Sequence, residues 1–432
     1  MRKDVVKLGL IGLGTVGSGV VKIIQNNGDL LERKVGTKLE VAKVMVRDIN
    51  KPRRVELPQG VITTNIKDII DNPEIDIVVE LMGGLTPAGE YVLEAMQNGK
   101  SVVTANKDLV AQAGKELFER AEQANVDLLF EASVGGGIPI IRPLKQCLAA
   151  NRIQQVMGII NGTTNYMLTK MTQEGCDFAA VLAEAQAKGY AEADPTADVE
   201  GYDAARKLAI LASIAFNTRV TFSDVHVEGI TKITAHDIQY AKELDYIIKL
   251  LGIAKEDKDG IEVRVHPTLV PKDHPIASVN DVFNAIFVSG DAVGDTMFFG
   301  RGAGELPTAS AVVGDIMEAA LNILKDDRGR IACTCFEHKA IKPMDMVESK
   351  FYIRLIVADQ PGVLAAIASA FGDQQVSLQS VIQKENLGEQ AEVVLVTHRT
   401  KEGNIRQALK TLEAMDSVVE ISNAIRVEGT GK

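Results

Sequence analysis

The first third of the chain alternates between short apolar runs and longer stretches with helical periodicity. Apolar runs bounded by glycine or polar residues predict buried strands, and they occur at residues 5–12, 40–46, 75–80, 101–104 and 126–130. Stretches with apolar residues on one helical face predict helices at residues 18–27, 87–98 and 108–124. Strands and helices that alternate in this order predict an α/β fold with a doubly wound parallel sheet.

The pattern changes from about residue 140. Strands are predicted at 154–161, 225–228, 261–267 and 284–289, and helices from about 166, from 201 or 202, and over 235–251. This order predicts an α+β domain whose sheet is large enough to pair with a second subunit. Glycines over 300–304 then open a long predicted helix to Leu324, which indicates that the chain returns to the first domain.

A compact unit is predicted after Pro343. Its predicted strands are 352–358, 376–384, 389–397 and 418–427, and its helices run from the loop at 359–364 to Phe371 and over 402–415. The βαββαβ order is that of a ferredoxin-like domain. Because this order is complete and follows a linker, we expect the unit to fold on its own.

Composition limits the classes of function. The 432 residues allow two to four domains, and 46% hydrophobic with 24% charged residues is typical of a globular protein. The net charge of −11 argues against a nucleic-acid or anionic-membrane partner. No apolar run is long enough for a membrane span, and the glycine-broken start favours a first strand over a signal peptide. Four scattered cysteines predict reduced thiols in a cytoplasmic protein, and the Cys333-x-Cys335 pair lacks the second pair of a zinc site.

A glycine pattern links the first predicted strand to the first helix. It consists of Gly12, Leu13, Gly14, Thr15, Val16 and Gly17. In this setting glycines allow a tight turn and let backbone N–H groups approach a pyrophosphate at the helix N-terminus, which predicts a Rossmann-type dinucleotide site. Arg47, at the end of the second strand, suits a 2′-phosphate and favours NADP(H), whereas Asp48 behind it leaves NAD(H) open.

Charged residues begin the apolar helix predicted from about residue 201. Asp203, Lys207, Ile210 and Ile214 share one helical stripe, so we expect the charged pair to point inward. The alternative is an ordinary i,i+4 ion pair on a solvated face. A buried lysine suits proton transfer. The carboxylates just before it, which include Glu192, Asp194, Asp198 and Glu200, are suited to a cationic substrate or to a metal.

Polar residues or glycines follow the other strands of the first domain at their carboxyl ends, where such folds bind ligands. They lie at 82–84, at 104–107 and at 131–138. Lys107 begins a predicted helix, where a cation is disfavoured unless function requires it. We therefore interpret Lys107 as a site residue and not as a surface lysine.

Four segments together resemble homoserine dehydrogenase, in the monofunctional bacterial form with a C-terminal ACT domain. They are GLGTVG at 12–17, TANK at 104–107, IINGTTNYML at 159–168 and GYAEADPTADVEGYDAARK at 189–207, and the DQPGVL loop at 359–364 is similar to that of ACT domains. The resemblance implies a Rossmann domain over 1–138 completed by about 305–340, a catalytic and dimerisation domain over 139–304, and an ACT regulatory domain over 350–432. It also implies NAD(P)-dependent interconversion of L-aspartate 4-semialdehyde and L-homoserine in threonine, methionine and isoleucine biosynthesis.

The resemblance further implies roles for individual residues. Lys207 is the general acid/base and Lys107 the second active-site lysine, near the nicotinamide. Glu192, Asp203 and Gly189 contact the substrate, while Thr104 and Gly304 contact the cofactor. Backbone carbonyls near Glu131, Val134, Gly136 and Ile138 resemble the family's site for a monovalent cation, Na+ or K+.

Other readings remain open at this point. A histidine-based 2-hydroxyacid dehydrogenase or a thioester-forming semialdehyde dehydrogenase lacks a suitably placed histidine or cysteine. A non-catalytic sensor that binds a nicotinamide cofactor and an amino acid would have no need of both lysines and the carboxylates. For the C-terminal unit we expect L-threonine as the effector, with pure assembly as the alternative, and for the protein a homodimer or a homotetramer.

Overall fold

The computed structural model describes the backbone of residues 3–330, 332–386 and 388–429, and the side chains of all of these except 384–386. The chain forms two compact units. Unit one consists of Met1–Val156, Arg206–Ser223 and Asn284–His338, and unit two of Met157–Ala205, Asp224–Phe283 and Lys339–Lys432. Within the described ranges, no helix combines the length and the apolarity needed to cross a membrane.

Helices and strands follow one another along the whole chain. The helices are α1 (Thr15–Asn26), α2 (Gly28–Val35), α3 (Lys67–Ile70), α4 (Ala88–Gln97), α5 (Lys107–Ala124), α6 (Gly162–Glu174), α7 (Phe178–Ala187), α8 (Thr196–Val199), α9 (Tyr202–Ala215), α10 (Ala235–Glu243), α11 (Glu305–Lys325), α12 (Val363–Asp373) and α13 (Glu402–Glu413). The strands are β1 (Val5–Ile11), β2 (Lys38–Met45), β3 (Ile62–Thr63), β4 (Ile77–Glu80), β5 (Ser101–Thr104), β6 (Leu128–Leu129), β7 (Ile153–Ile159), β8 (His226–Val227), β9 (Tyr246–Asp257), β10 (Gly260–Pro271), β11 (Phe283–Gly290), β12 (Gly294–Arg301), β13 (Glu348–Ala358), β14 (Leu378–Asn386), β15 (Gln390–Thr397), β16 (Thr400–Lys401) and β17 (Val418–Val427).

Unit one contains a six-stranded parallel sheet in the order β3-β2-β1-β4-β5-β6. The predicted α/β fold with a doubly wound parallel sheet is confirmed. The strand order reverses between β1 and β4, and in such sheets ligands bind at the carboxyl ends of the strands beside this reversal. The glycine loop lies there, directly after β1.

Helices cover both faces of this sheet. On one face the β1 side chains of Leu8 and Leu10 pack into a core with α1 and α11. On the other face Ile11 packs with buried residues of α4 and α5. Side chains alternate between the faces of a strand, so β1 is apolar throughout because both of its faces are covered.

Unit two contains a long antiparallel hairpin, β9–β10, followed in its sheet by β17, β13, β15 and β14. The C-terminal elements have the order β13-α12-β14-β15-α13-β17, which confirms the predicted βαββαβ unit. The last strand of that unit pairs on one side with β13 and on the other, in parallel, with β10. The C-terminal unit therefore continues a larger sheet in the full-length chain, and its independent folding stays a prediction.

Two of the predicted helices differ from the observed ones by four residues or more at one end. The helix predicted over 235–251 ends at Glu243, and β9 begins at Tyr246. Asp245 between them has a φ of +62°, which ends a helix, and the apolar residues that follow pair with β10 instead. The helix predicted from about Tyr166 begins at Gly162, because the side chain of Asn161 accepts the Thr164 N–H and caps the first turn.

Candidate functional site

The glycine loop of unit one has a strand–turn–helix geometry. Gly12 follows β1 with a φ of +106°, and a Cβ atom there would lie 2.9 Å from the carbonyl oxygen of Leu81. A Cβ atom on Gly17 would lie 2.4 Å from the carbonyl oxygen of Gly12. Glycine is thus required at both positions, and α1 starts directly behind the turn with its first N–H groups unpaired within the helix. These features fit a dinucleotide pyrophosphate.

A second helix start lies beside the first. Gly304 caps α11 with a φ of +126°, and a Cβ atom on Gly19 of α1 would lie 2.6 Å from the carbonyl oxygen of Glu305. The Glu305 carboxylate accepts from Lys22 at 2.5 Å and from Arg54 at 3.2 Å. Gly304 and the glycine loop are therefore neighbours on one side of the sheet, although 286 residues lie between Gly17 and Gly304 in the chain.

Arg47 is exposed two residues beyond the end of β2. Lys51, Arg53 and Arg54 follow it closely in the chain, and the Arg53 guanidinium donates to the carbonyl oxygen of Asp48. Arg54 is held by Glu305, as described above. The sequence analysis singled out Arg47 alone, whereas the loop is basic over several residues.

The loops after β4 and β5 are tied together by Glu80, which is fully buried. Its carboxylate accepts from the backbone N–H groups of Met82 at 2.8 Å and Gly83 at 2.9 Å, and from the hydroxyl of Thr104 at 2.6 Å. Sequence reasoning missed Glu80. An acidic residue at the end of an otherwise apolar strand was the available signal.

Lys107 is the first residue of α5. The preceding Asn106 caps this helix by accepting the N–H of Leu109 at 3.1 Å, and its amide donates to the carbonyl oxygen of Gly84 at 2.7 Å. Asn106 thereby fixes the position of Lys107 relative to both loops.

Helix α9 begins at Tyr202, as predicted, and it carries Lys207 in unit one. Asp203, Ile210 and Ile214 are buried, so the predicted stripe faces inward, and Lys207 is half-buried on it. Arg206 forms an ion pair with Asp108 at 3.0 Å. Because these two residues directly adjoin Lys207 and Lys107, the ion pair brings the two lysine-bearing segments together within unit one.

A carboxylate cluster lies before α9 in unit two. The buried side-chain amide of Asn161 donates to Asp198 at 2.7 Å and to Asp203 at 2.9 Å. Glu192 lies on the same connecting segment and is exposed, and Gly189 turns that segment with a φ of +73°. Asn161 was part of a quoted segment, but its bridging role was not predicted, since it depends on residues about forty positions away.

Helix α6 is fixed behind Asn161 by a buried polar network. The side-chain amide of Asn165 donates to the carbonyl oxygens of Val279, Asp281 and Phe283 at 3.0–3.2 Å. The ammonium group of Lys249 donates to Asn165 at 3.1 Å, and burial lowers the pKa of Lys249 to about 8. This network keeps the first turn of α6, and with it the capping Asn161, in place.

The turn over 131–138 is held by Glu131. Its carboxylate accepts three backbone N–H groups, from Ile140 at 2.6 Å and from Ile141 and Arg142 at 2.8 Å. Its own N–H donates to Asp315 at 2.8 Å, and burial together with the charge of Glu131 raises the pKa of Asp315 to about 7. The carboxylate of Glu131 is thus committed to the protein.

The same turn packs against a second stretch of backbone. Val134, Gly136 and Ile138 are buried, and a Cβ atom on Gly136 would lie 2.3 Å from the carbonyl oxygen of Gly302. Two stretches of backbone therefore meet closely, and the carbonyl oxygen of Gly302 lies at their contact. Hard cations prefer such oxygen ligands. Across the part of the chain that the structure describes, no group of three or more His, Cys, Asp or Glu side chains is arranged to hold a metal ion.

Family models and a relative of known name identify the same family over almost the whole chain. Family models match for the homoserine dehydrogenase NAD-binding domain at residues 12–131, for homoserine dehydrogenase at 139–317 and for the ACT domain at 351–416. A homoserine dehydrogenase from Synechocystis is 49% identical, over 98% of this chain and 99% of that protein.

Solved structures agree with these matches. A crystal structure of a homoserine dehydrogenase from Thiobacillus denitrificans is 45% identical, with a TM-score of 0.94 over 99% of each chain. A hyperthermophilic archaeal homoserine dehydrogenase in complex with NADPH is 26% identical, with a TM-score of 0.63 over 74% of this chain and 98% of that one. This chain belongs to the homoserine dehydrogenase family of oxidoreductases.

Proposed function

We propose that this protein interconverts L-aspartate 4-semialdehyde and L-homoserine with a nicotinamide cofactor. Both compounds carry an ammonium group. The observation that carries the proposal is the hydrogen-bonded cluster of Asn161, Asp198 and Asp203 at the start of α9, one helical turn before Lys207. Carboxylates held in this way suit a substrate ammonium group, and a lysine one turn further along suits the hydroxyl that reacts.

The roles follow the sequence predictions. Asp203, Glu192 and the turn at Gly189 hold the substrate. Lys207 takes the proton of the homoserine hydroxyl during oxidation and returns it during reduction. Lys107 lies at the start of α5 and offsets the negative charge that develops on the reacting oxygen. The nicotinamide, when bound, accepts or supplies the hydride.

An assay decides between this enzyme and a sensor without catalysis. Aspartate semialdehyde added to the full-length protein with NADPH or NADH should oxidise the cofactor, measured by the loss of nicotinamide absorbance. Unchanged absorbance with both cofactors, together with calorimetric binding of cofactor, would favour the sensor.

For the cofactor we propose NADP(H), with NAD(H) accepted less well. The glycine loop, Thr104 and Gly304 hold the dinucleotide, and Arg47 with the basic residues that follow suits the 2′-phosphate. The archaeal relative was solved with NADPH. That observation supports the preference.

Replacement of Arg47 tests the preference. Arg47→Ala should raise the Michaelis constant for NADPH roughly tenfold and that for NADH much less, because a charge-assisted hydrogen bond is worth about 1.5–3 kcal/mol. The exposed Arg33 of α2 provides a matched control. Arg33→Ala should change neither constant. Equal rises for both cofactors in Arg47→Ala would show a purely structural role.

We further propose the domain limits, the cation and the assembly that the resemblance implies. The domains are 1–138 completed by about 305–340, then 139–304 and 350–432. The carbonyl oxygens near Glu131, Val134, Gly136 and Ile138 bind Na+ or K+. A homodimer or homotetramer is supported by β12, an edge strand that exposes Met297 and Phe299.

For regulation we propose L-threonine as the effector of the C-terminal unit. A cavity of about 330 Å³ borders the loop before α12, and its lining includes Asp359, Gly362, Leu364 and Gln383. Gly362 caps α12 with a φ of +93°, so the first N–H groups of that helix can receive an amino acid's carboxylate. The volume is in the range of small-molecule sites.

A charge placed at this helix start tests the effector site. Leu364→Glu adds an anion in the first turn, where acidic residues stabilise a helix but repel a bound carboxylate. Inhibition by threonine should weaken about tenfold or more, within the usual coupling of about 1–3 kcal/mol. Leu364→Gln is the matched control, since glutamine has nearly the same shape as glutamate but no charge. Its inhibition by threonine should stay close to that of the wild type. Equal sensitivity of both variants would place the effector elsewhere.

A further inference from the structure

A small cavity in unit one contains two cysteines that the dehydrogenase chemistry does not use. Cys333 and Cys335 line it together with Arg219, Lys145 and Ser213 of α9. Its volume is about 20 Å³, room for about one molecule the size of water. The cavity therefore admits a very small reactant and excludes a bulky organic ligand.

Two cationic side chains face the sulfur atoms. The Arg219 guanidinium lies 3.8 Å from Sγ of Cys333, and a Cβ atom on Gly114 would lie 2.8 Å from that guanidinium, so glycine at 114 leaves it room. The Lys145 ammonium lies 5.0 Å from the ring centre of Phe118. Burial lowers the pKa of Lys145 to about 8, which still leaves it largely charged at neutral pH. Positive charge of this kind favours a thiolate.

The two thiols differ in their surroundings. Cys335 donates its S–H toward the carbonyl oxygen of Ser213 at 3.8 Å, and it lines the same cavity as Cys333. The neighbouring Cys335 thiol, together with the charge of Arg219, lowers the pKa of Cys333. The same pairing raises the pKa of Cys335. The thiolate is thus favoured at Cys333, whose sulfur lies next to the Arg219 guanidinium, and the proton is favoured at Cys335.

We propose that Cys333 and Cys335 form a redox-active dithiol that reduces a small hydroperoxide. The Cys333 thiolate attacks one peroxide oxygen. An S–O bond forms, the O–O bond breaks, and the leaving hydroxide takes a proton to become water. The Cys335 sulfur then gives up its proton and attacks the sulfenic acid on Cys333, so that the S–O bond breaks and a second water leaves. Two thiols become one disulfide, and hydrogen peroxide becomes two waters.

The spacing of Cys333 and Cys335 in the chain permits a disulfide between them. The two cysteines are separated by one residue, and two residues of extended chain span at most about 7 Å. Disulfides join Cα atoms that lie about 4.4–6.8 Å apart. Both side chains already line one cavity, so little movement of the backbone is needed.

Alkylation tests the nucleophile. The full-length protein is treated with iodoacetamide at about pH 6, where an ordinary thiol is protonated and slow. Peptide mass spectrometry should show Cys333 reacting at least about tenfold faster than the exposed Cys147. Arg219→Gln should slow the alkylation of Cys333, and Arg219→Lys should keep part of the wild-type alkylation rate. Equal rates at Cys333 and Cys147 in the wild type would overturn the assignment.

Peroxide treatment tests the pair, in a background in which Cys147 and Cys176 are both replaced by serine. Hydrogen peroxide should remove two hydrogen atoms from the peptide that carries Cys333 and Cys335, and dithiothreitol should return them. Cys335→Ser should stop at a sulfenic acid on Cys333 that dimedone traps, while Cys333→Ser should give neither product. The proposal fails if no disulfide forms, or if the sulfenic acid is trapped on Cys335. Neither readout uses the dehydrogenase reaction.

Discussion

Lys207→Ala should lose about 10²–10⁴-fold in turnover, the usual contribution of a positioned acid or base, while it still folds and binds cofactor. Lys207 is half-buried on the inward stripe of α9, one turn after Asp203. Lys107 begins α5, and the ion pair between Arg206 and Asp108 joins the two segments. The measurements are the turnover number, the dissociation constant for NADPH and the thermal midpoint of unfolding.

Two companion variants sharpen this test. Lys207→Arg keeps the positive charge but cannot release a proton, so it should be nearly as inactive as the alanine variant. Lys115→Ala is the matched control, because Lys115 lies on the surface of α5 with 79% of its side chain exposed. Near-normal turnover in Lys207→Arg would mean that Lys207 supplies charge and moves no proton. Near-normal turnover in Lys207→Ala would remove it from the reaction.

Arg426→Leu should destabilise the protein by about 3–5 kcal/mol, the usual result of breaking a buried ion pair by removing one partner. Arg426, near the end of β17, contacts the Glu402 carboxylate with two nitrogens at 2.6 and 2.7 Å. A third nitrogen donates to Glu228 at 2.9 Å. Glu402 is 4% exposed, so the leucine variant leaves a buried carboxylate without its cation.

The midpoint of urea unfolding measures this effect at neutral pH. Arg399→Leu is the matched control, because Arg399 is exposed and donates to the carbonyl oxygen of Glu348 at 3.2 Å. That variant should stay within about 0.5 kcal/mol of wild type, as surface substitutions usually do. If Arg399→Leu and Arg426→Leu shift the midpoint equally, the buried ion pairs of Arg426 stabilise the protein no more than a surface contact does.

The difference in the free energy of unfolding between wild type and Arg426→Leu should become smaller as the pH falls. Burial alone would raise the pKa of Glu228, but hydrogen bonds from His226 and Arg426 outweigh it and hold that pKa well below its usual range. A carboxylate with a lowered folded-state pKa stabilises the protein above its unfolded-state pKa, and this stability is lost as the pH falls. The variant has already lost the part of that contribution that Arg426 supplies.

The ion pair between Arg426 and Glu228 connects the C-terminal unit to an earlier part of the chain. Arg426 belongs to the C-terminal βαββαβ unit, whereas Glu228 follows β8, which pairs with β10 in the same sheet. Gly229 packs closely on the segment before α9, since a Cβ atom there would lie 2.4 Å from the carbonyl oxygen of Val199. A chain ending near Pro343 would lose β17 from β10 together with this ion pair. Point variants such as Leu364→Glu therefore test regulation more cleanly than truncation.

Several features of the protein were determined by sequence alone because their causes are local. The glycine loop after β1 follows from the turn that glycine permits, and the start of α9 at Tyr202 follows from the glycine before it and the apolar stripe behind it. The βαββαβ order of the C-terminal unit follows from period and turn residues. The family resemblance rested on segments of this kind.

Other features were decided only by the tertiary structure, because they depend on partners far away in the sequence. The apolar residues after Asp245 suit either a helix or a strand, and pairing with β10 selects the strand. Asn161 bridges two aspartates about forty residues away, and β17 pairs with β10, whose residues lie 158 positions earlier in the chain. Local periodicity carries no information on such pairings. The residues that align the two lysine-bearing segments, and the two thiols beside Arg219, are brought together by packing of elements that the sequence pattern describes only one at a time.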